Sequence, residues 1–112
     1  MPRDEAYLLD MLNAAKMALE YVKGKSIDQF ISDTQCQDAV IRRLEILGEA
    51  ANRVSEGFRK SNASLPWRSM VSIRNVVIHE YDGIDLNIIW NTVIHKLPEV
   101  VAELEKMVGE KR

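Results

Sequence analysis

Apolar residues recur along this chain at steps of three and four, with no sustained strand alternation, and that pattern predicts helices from end to end. From about Asp4 to Lys23 the positions Leu8, Met11, Leu12, Ala15, Ala18, Leu19 and Val22 fall on one helical face, and Gly24 supplies a stop. A short turn follows, with Ser26 and Gln29 spaced as a capping box ahead of Phe30 and Ile31. A second long helix opens near Asp33 or Thr34, where Thr34 and Gln37 repeat that spacing. Its seam of Val40, Leu44, Leu47, Ala51 and Val54 alternates by four and three, and the helix is expected to end near Gly57 before a polar loop, Ser61 to Ser64.

Pro66 then stands where a helix favours its first residue, with Ser64 as the cap and Trp67, Met70 and Val71 opening an apolar face. This third helix carries Arg74 and runs to about His79, ahead of the Asp82-Gly83 breaker. Asp85 can cap a fourth helix, Leu86 to Leu97, and Pro98 kinks or restarts the chain before a last amphipathic helix through Val100, Leu104 and Val108. The expected architecture is an all-α, up-and-down helical bundle of four main helices plus a short or kinked extra helix, formed by residues 1–112 as a single domain without internal repeats.

Composition narrows the class. Hydrophobic residues make up 46% and charged residues 29% of 112, the balance of a globular chain rather than a disordered one. The apolar runs are far too short for a membrane span, and the acidic N-terminus is unlike a signal peptide. A lone cysteine, Cys36, excludes an internal disulfide and a cysteine-built zinc cluster, so a cytoplasmic protein is expected. The net charge of −2 argues against nucleic-acid binding over the whole surface. Its distribution is uneven, however: Arg53, Arg59, Lys60, Arg68 and Arg74 face Glu56 alone in that segment, a local excess of +4 that reads by itself as a solvated, loop-flanking cluster and, beside the octet that follows, as an anion-attracting patch.

The densest chemistry is the octet RNVVIHEY, Arg74 to Tyr81, which holds one of only two histidines. On a helix, and taking Arg74 as zero, Asn75 falls near 100°, His79 near 140° and Tyr81 near −20°, an arc of roughly 160°. Arginine offers a fork of donors matched to phosphate oxygens and keeps its charge. Histidine titrates near neutrality and can serve as general acid or base. Asparagine can orient the imidazole or a substrate oxygen, and tyrosine can stack, donate or accept a covalent group. The plain alternative is that Arg74 pairs with an acid such as Glu49 while His79 fills a helix end, and spacing alone favours that alternative because motifs this short recur by chance.

The octet resembles the R-x4-H-x-Y signature of the HEPN superfamily, specifically the HepT-like group of minimal HEPN ribonucleases. Surrounding phrases fit the same group: AVIRRLEILGEA at Ala39–Ala50, LPWRSMVSIRN at Leu65–Asn75, YDGIDLNIIW at Tyr81–Trp90 and KLPEV at Lys96–Val100. The likeness runs from about Tyr7 to Leu104, with Ser72 and Ile73 where a Gly-Met-like pair is common. It implies a homodimeric toxin of a toxin–antitoxin pair whose antitoxin is a minimal, MntA-like nucleotidyltransferase. It further implies metal-independent RNA cleavage by Arg74 and His79 at the dimer cleft, with no cofactor and no metal ligands. In that scheme Asn75 supports the site, and Tyr81 accepts AMP from the antitoxin, which silences the toxin. Arg42, in the second long helix, is a candidate phosphate contact, with ion pairing to Glu45 or Glu49 as the alternative for it and for Arg43. Two rival functions stay open: a non-catalytic nucleotide- or RNA-binding partner of a nucleotidyltransferase, and a purely structural helical dimer.

The remaining polar singletons have blander readings. His95 has no metal-ligand spacing to His79 and reads as a surface or core-edge residue. Cys36 reads as an ordinary thiol at a helix start, and Trp67 and Trp90 as core or interface aromatics.

Overall fold

The computed structural model describes residues 2–79 and 85–109, including side chains apart from those of residues 2 and 74–79. Regular structure among these residues is helical: α1 (Pro2–Val22), α2 (Ile27–Ile31), α3 (Thr34–Arg53), α4 (Glu56–Ser61), α5 (Trp67–His79), α6 (Leu86–Asn91) and α7 (Leu97–Gly109). A π-helical turn, Thr92–Lys96, joins α6 to α7. The four main helices expected from the pattern are therefore α1, α3, α5 and the rod built from α6 and α7, and the fold is an all-α bundle. Helix α3 packs against both α1 and α5, and α1 also packs along α7.

The apolar stripes meet as their spacing requires. Leu8, Met11, Ala15, Ala18 and Val22 of α1 are buried against Val40, Leu44, Leu47 and Ala51 of α3, and Val93, Leu97, Val100 and Leu104 close the core from the rod. Each fully buried leucine contributes roughly 1.5–3 kcal/mol over an exposed one. Small residues on the inner face of α1, Ala14, Ala15 and Ala18, let its neighbours approach closely.

Local signals end and start the elements. Gly24 adopts φ +76°, a left-handed stop beyond α1 that a side chain would strain. The Ser26–Gln29 capping box forms in full: the Gln29 N–H donates to Ser26 Oγ at 3.2 Å and the Ser26 N–H to Gln29 Oε1 at 2.8 Å. The repeat of that box at Thr34 and Gln37 does not form. Asp33 caps α3 instead, accepting from the Cys36 N–H at 3.0 Å, while the Gln37 amide turns back to the carbonyls of Phe30 and Ile31.

Three boundaries depart from expectation. Helix α3 stops at Arg53 rather than near Gly57, because Val54 turns extended to bury its side chain and Ser55 restarts the chain by capping α4 at the Phe58 N–H. Ser55 is fixed from a distance: its N–H and hydroxyl donate to the buried Asp4 carboxylate at 2.9 and 2.6 Å. Ser64 is not the cap of α5, since its hydroxyl donates to Glu103 Oε2 at 3.2 Å; Pro66 opens the helix by accepting from the Met70 N–H. Pro98 does not restart the chain. It cannot donate to the carbonyl four residues back, so the preceding turn widens and the Leu97 N–H reaches Thr92 O, five residues back, with helical dihedrals at both ends of the turn.

Candidate active site

Helix α5 carries the candidate chemistry. Its start is pinned by Trp67, whose indole N–H donates to Asn62 O at 2.9 Å and whose ring meets Phe58 of α4 edge-on, with centroids 6.3 Å apart. Trp67 and Met70 are buried, whereas Arg68, Ser69 and Ser72 are exposed. The helix continues unbroken to His79, which places Arg74, Asn75 and His79 on its final turns. The sequence expectation that these three share one helix is thus met at the level of the backbone. The position of Tyr81 and the pairing of Arg74 with Glu49 lie outside the described residues.

Helical register relates these three positions to the described ones. Arg74 follows Met70 by four residues and Trp67 by seven, so it continues the register of the buried face. His79 and Asn75 continue the register of the exposed Arg68 and Ser72, at successive spacings of four, three and four. Arg68, Ser72, Asn75 and His79 therefore mark one stripe of α5. The burial pattern puts its first two members, Arg68 and Ser72, on the open side of the helix.

Two grooves flank α5. One, between α4 and α5, is lined by Arg59, Lys60, Trp67, Arg68, Val71 and Ser72, with Glu56 at its edge. The other, where α5 meets α3 and the rod, is lined by Leu44, Ile73, Ile88 and Ile89 with Ser69, Thr92 and Lys96, and it shares Arg68 and Ser72 with the first groove. It is largely apolar, and Ile88 remains 54% exposed there.

The secondary candidates sort themselves by burial. Arg42 is exposed on α3, about 160° around the helix from the fully buried Leu44. Arg43 is half-buried and its Nε donates to the Tyr21 hydroxyl at 3.3 Å, tying α3 to α1. Cys36 is buried with Sγ 3.5 Å from the Tyr21 carbonyl, the setting of a structural thiol. His95 is exposed, and Trp90 packs on Phe30 with centroids 5.5 Å apart. Among the described residues no helix is long and apolar enough to cross a membrane.

Comparison with known proteins converges on one family. The family model described as "Ribonuclease HepT-like" matches residues 11–107. A relative from Methanocaldococcus jannaschii, "Putative RNase MJ0127", is 36% identical over 112 residues, spanning 98% of this chain and 93% of the relative. A second from the same organism, "Putative RNase MJ1380", is 38% identical over 101 residues, with 90% and 93% of the two chains covered. "Probable ribonuclease HepT" of Thermococcus cleftensis is 35% identical over 101 residues, covering 90% of this chain and 92% of its own. No solved structure is matched at significant similarity. The chain, with its helical bundle and its R-x4-H motif on the last turns of α5, belongs to the HepT-like ribonuclease family.

Proposed function

We propose that this chain is a metal-independent endoribonuclease whose site is built from Arg74 and His79 where two copies of the chain meet. The observation that carries the reading is the placement of both residues on the final turns of one helix in a chain of the HepT-like ribonuclease family. The RNA 2′-hydroxyl attacks the adjacent phosphorus while His79 of one copy takes its proton. The bond from phosphorus to the 5′-oxygen breaks, and that oxygen takes a proton from His79 of the second copy. The products are a 2′,3′-cyclic phosphate and a free 5′-hydroxyl. Arg74 stabilises the charge that builds on the phosphorane oxygens, Asn75 orients the imidazole or a phosphate oxygen, and Arg42 is a supporting phosphate contact.

A two-fold pairing supplies what one chain lacks, since acid and base are both needed and each motif holds one histidine. The groove beside α5, where Leu44, Ile73, Ile88 and Ile89 meet, supports a second copy covering that side. The family resemblance supports a toxin role beside a minimal nucleotidyltransferase antitoxin. In that pairing the Tyr81 oxygen attacks the α-phosphorus of ATP, pyrophosphate leaves, and the attached AMP blocks RNA by bulk and charge. Mass spectrometry of protein co-expressed with such a partner reads this step as added AMP on the Tyr81 peptide.

Incubating the purified protein with RNA in EDTA tests the cleavage reading. Wild type is expected to cut, and His79→Ala to lose about 10²–10⁴ in rate, the usual worth of a general acid or base. Arg74→Ala is expected to fall by about 10²–10³ through loss of charge stabilisation. Intact RNA with wild type overturns the reading and leaves the non-catalytic RNA- or nucleotide-binding role; equal cutting by the variants overturns the assignment of the site to Arg74 and His79.

A further inference from the structure

The groove between α4 and α5 is a second concentration of polar chemistry, outside the R-x4-H motif. Three cations, Arg59, Lys60 and Arg68, line it against one carboxylate, Glu56, over a floor of Trp67 and Val71. Glu56 does not cancel the groove's charge: its partner is Lys60, at 3.1 Å, and both side chains are 76% exposed, a pairing that water and salt weaken readily. Arg59 is half-buried, and its Nε is shut off from solvent with no hydrogen-bond partner among the described residues. Its guanidinium is thus partly desolvated, which strengthens its attraction for an anion.

The groove is also held in shape. Phe58 packs edge-on against Trp67, the Trp67 indole donates to Asn62 O, and the Asn62 amide donates to Phe58 O at 3.0 Å. These contacts set α4 against α5, so the backbone positions that carry the cations are fixed before a ligand arrives. Direction comes from α5 itself: Arg68 and Ser72 line the groove and open the stripe that Asn75 and His79 continue in register. Arg68 and His79 are eleven residues apart, about 16 Å along the helix axis. That is a span of a few nucleotides.

We infer that the Arg59–Lys60–Arg68 groove is a docking subsite for the sugar-phosphate backbone of single-stranded RNA, holding the strand a few nucleotides from the bond to be cut. The inference builds on the ribonuclease reading and adds where the substrate lies outside the reacting atoms. Contacts of this kind attract phosphates without reading sequence, and they make affinity depend on salt.

Binding of a short single-stranded RNA with every 2′-hydroxyl methylated, followed by fluorescence anisotropy, separates docking from cleavage because the attacking group is blocked. Lys60→Gln/Arg68→Gln removes two exposed cations from the groove, and circular dichroism checks its fold. Lys16→Gln/Lys106→Gln removes the same charge from exposed positions on α1 and α7. The groove variant is expected to weaken binding about tenfold and to flatten the plot of log affinity against log salt by about 1.4, at ~0.7 for each phosphate that the variant leaves unneutralised. The control pair is expected to leave affinity within about twofold. Equal weakening by both pairs, or none from the groove pair, overturns the inference. If wild type fails to cut ordinary RNA yet the groove dependence holds, the cleavage reading falls and the docking subsite stands.

Discussion

Lys25 and Asp33 show how much one half-buried pair can set locally. Lys25 Nζ lies 2.9 Å from Asp33 Oδ2, and Asp33 also caps α3, so the pair clips the turn after α1 to the start of the next long helix. The hydrogen bond from Lys25, and after it that from the Cys36 N–H, hold the Asp33 carboxyl below its ordinary value of 3.8. The same bond to Asp33 raises Lys25 above its ordinary 10.5. The lowered carboxyl stabilises the fold above pH 3.8, and that contribution is lost as pH falls through its depressed folded value. The raised ammonium contributes below pH 10.5 and is lost as pH rises through its elevated folded value. Thermal melts of Lys25→Gln should therefore show a modest deficit against wild type that is flat between these limits, shrinks in acid and shrinks in high salt. A deficit that changes across neutral pH would count against this assignment. In the sequence the two residues are eight apart with nothing to mark them as partners; the Gly24 turn brings them together.

At the scale of elements, the strongest signals in the sequence were periodicity and caps. The apolar steps located α1, α3 and α7, and the Ser26–Gln29 box located α2. Two of the misses, at Val54 and at Ser64, share a cause, which is a long-range contact overriding a local pattern. Nothing near Val54 announces the end of α3; Asp4, fifty-one residues away, holds Ser55 in place. Asp4→Ala should cost about 2 kcal/mol, the usual range for hydrogen bonds to a charged group, as measured by urea unfolding. It should also loosen α4, and hence the groove that α4 forms with α5. The π turn is a different case. Leu86, Trp90 and Ile94, and beside them Ile89, Val93 and Leu97, run at steps of four before the step of three to Val100. That drift, just ahead of a proline, is the signature of a widened turn.

On the scale of the whole molecule, the open question about the motif is one of stoichiometry. If each cleavage needs His79 from two copies, an inactive copy silences its active partner. Wild type and His79→Ala chains, mixed one to one and allowed to exchange subunits, should retain about a quarter of the wild-type rate if the site is shared and about half if each chain acts alone. The quarter is expected. This test reads cleavage and is separate from the binding measurement on the groove.

The sequence by itself determined the helical class, most element positions, the family and the location of Arg74, Asn75 and His79 on one helix, because these follow from local periodicity and a short spaced motif. Only the tertiary structure decided which side of α5 is open, since that depends on what α3 and α4 cover. It decided likewise that Arg59, Lys60 and Arg68, drawn from a longer basic run, gather at one groove, while Arg53 ends α3 apart from them. A charge count along a chain is blind to this. Helices α4 and α5 must first be set at their angle by Phe58, Trp67 and Asn62 before the charges share a surface.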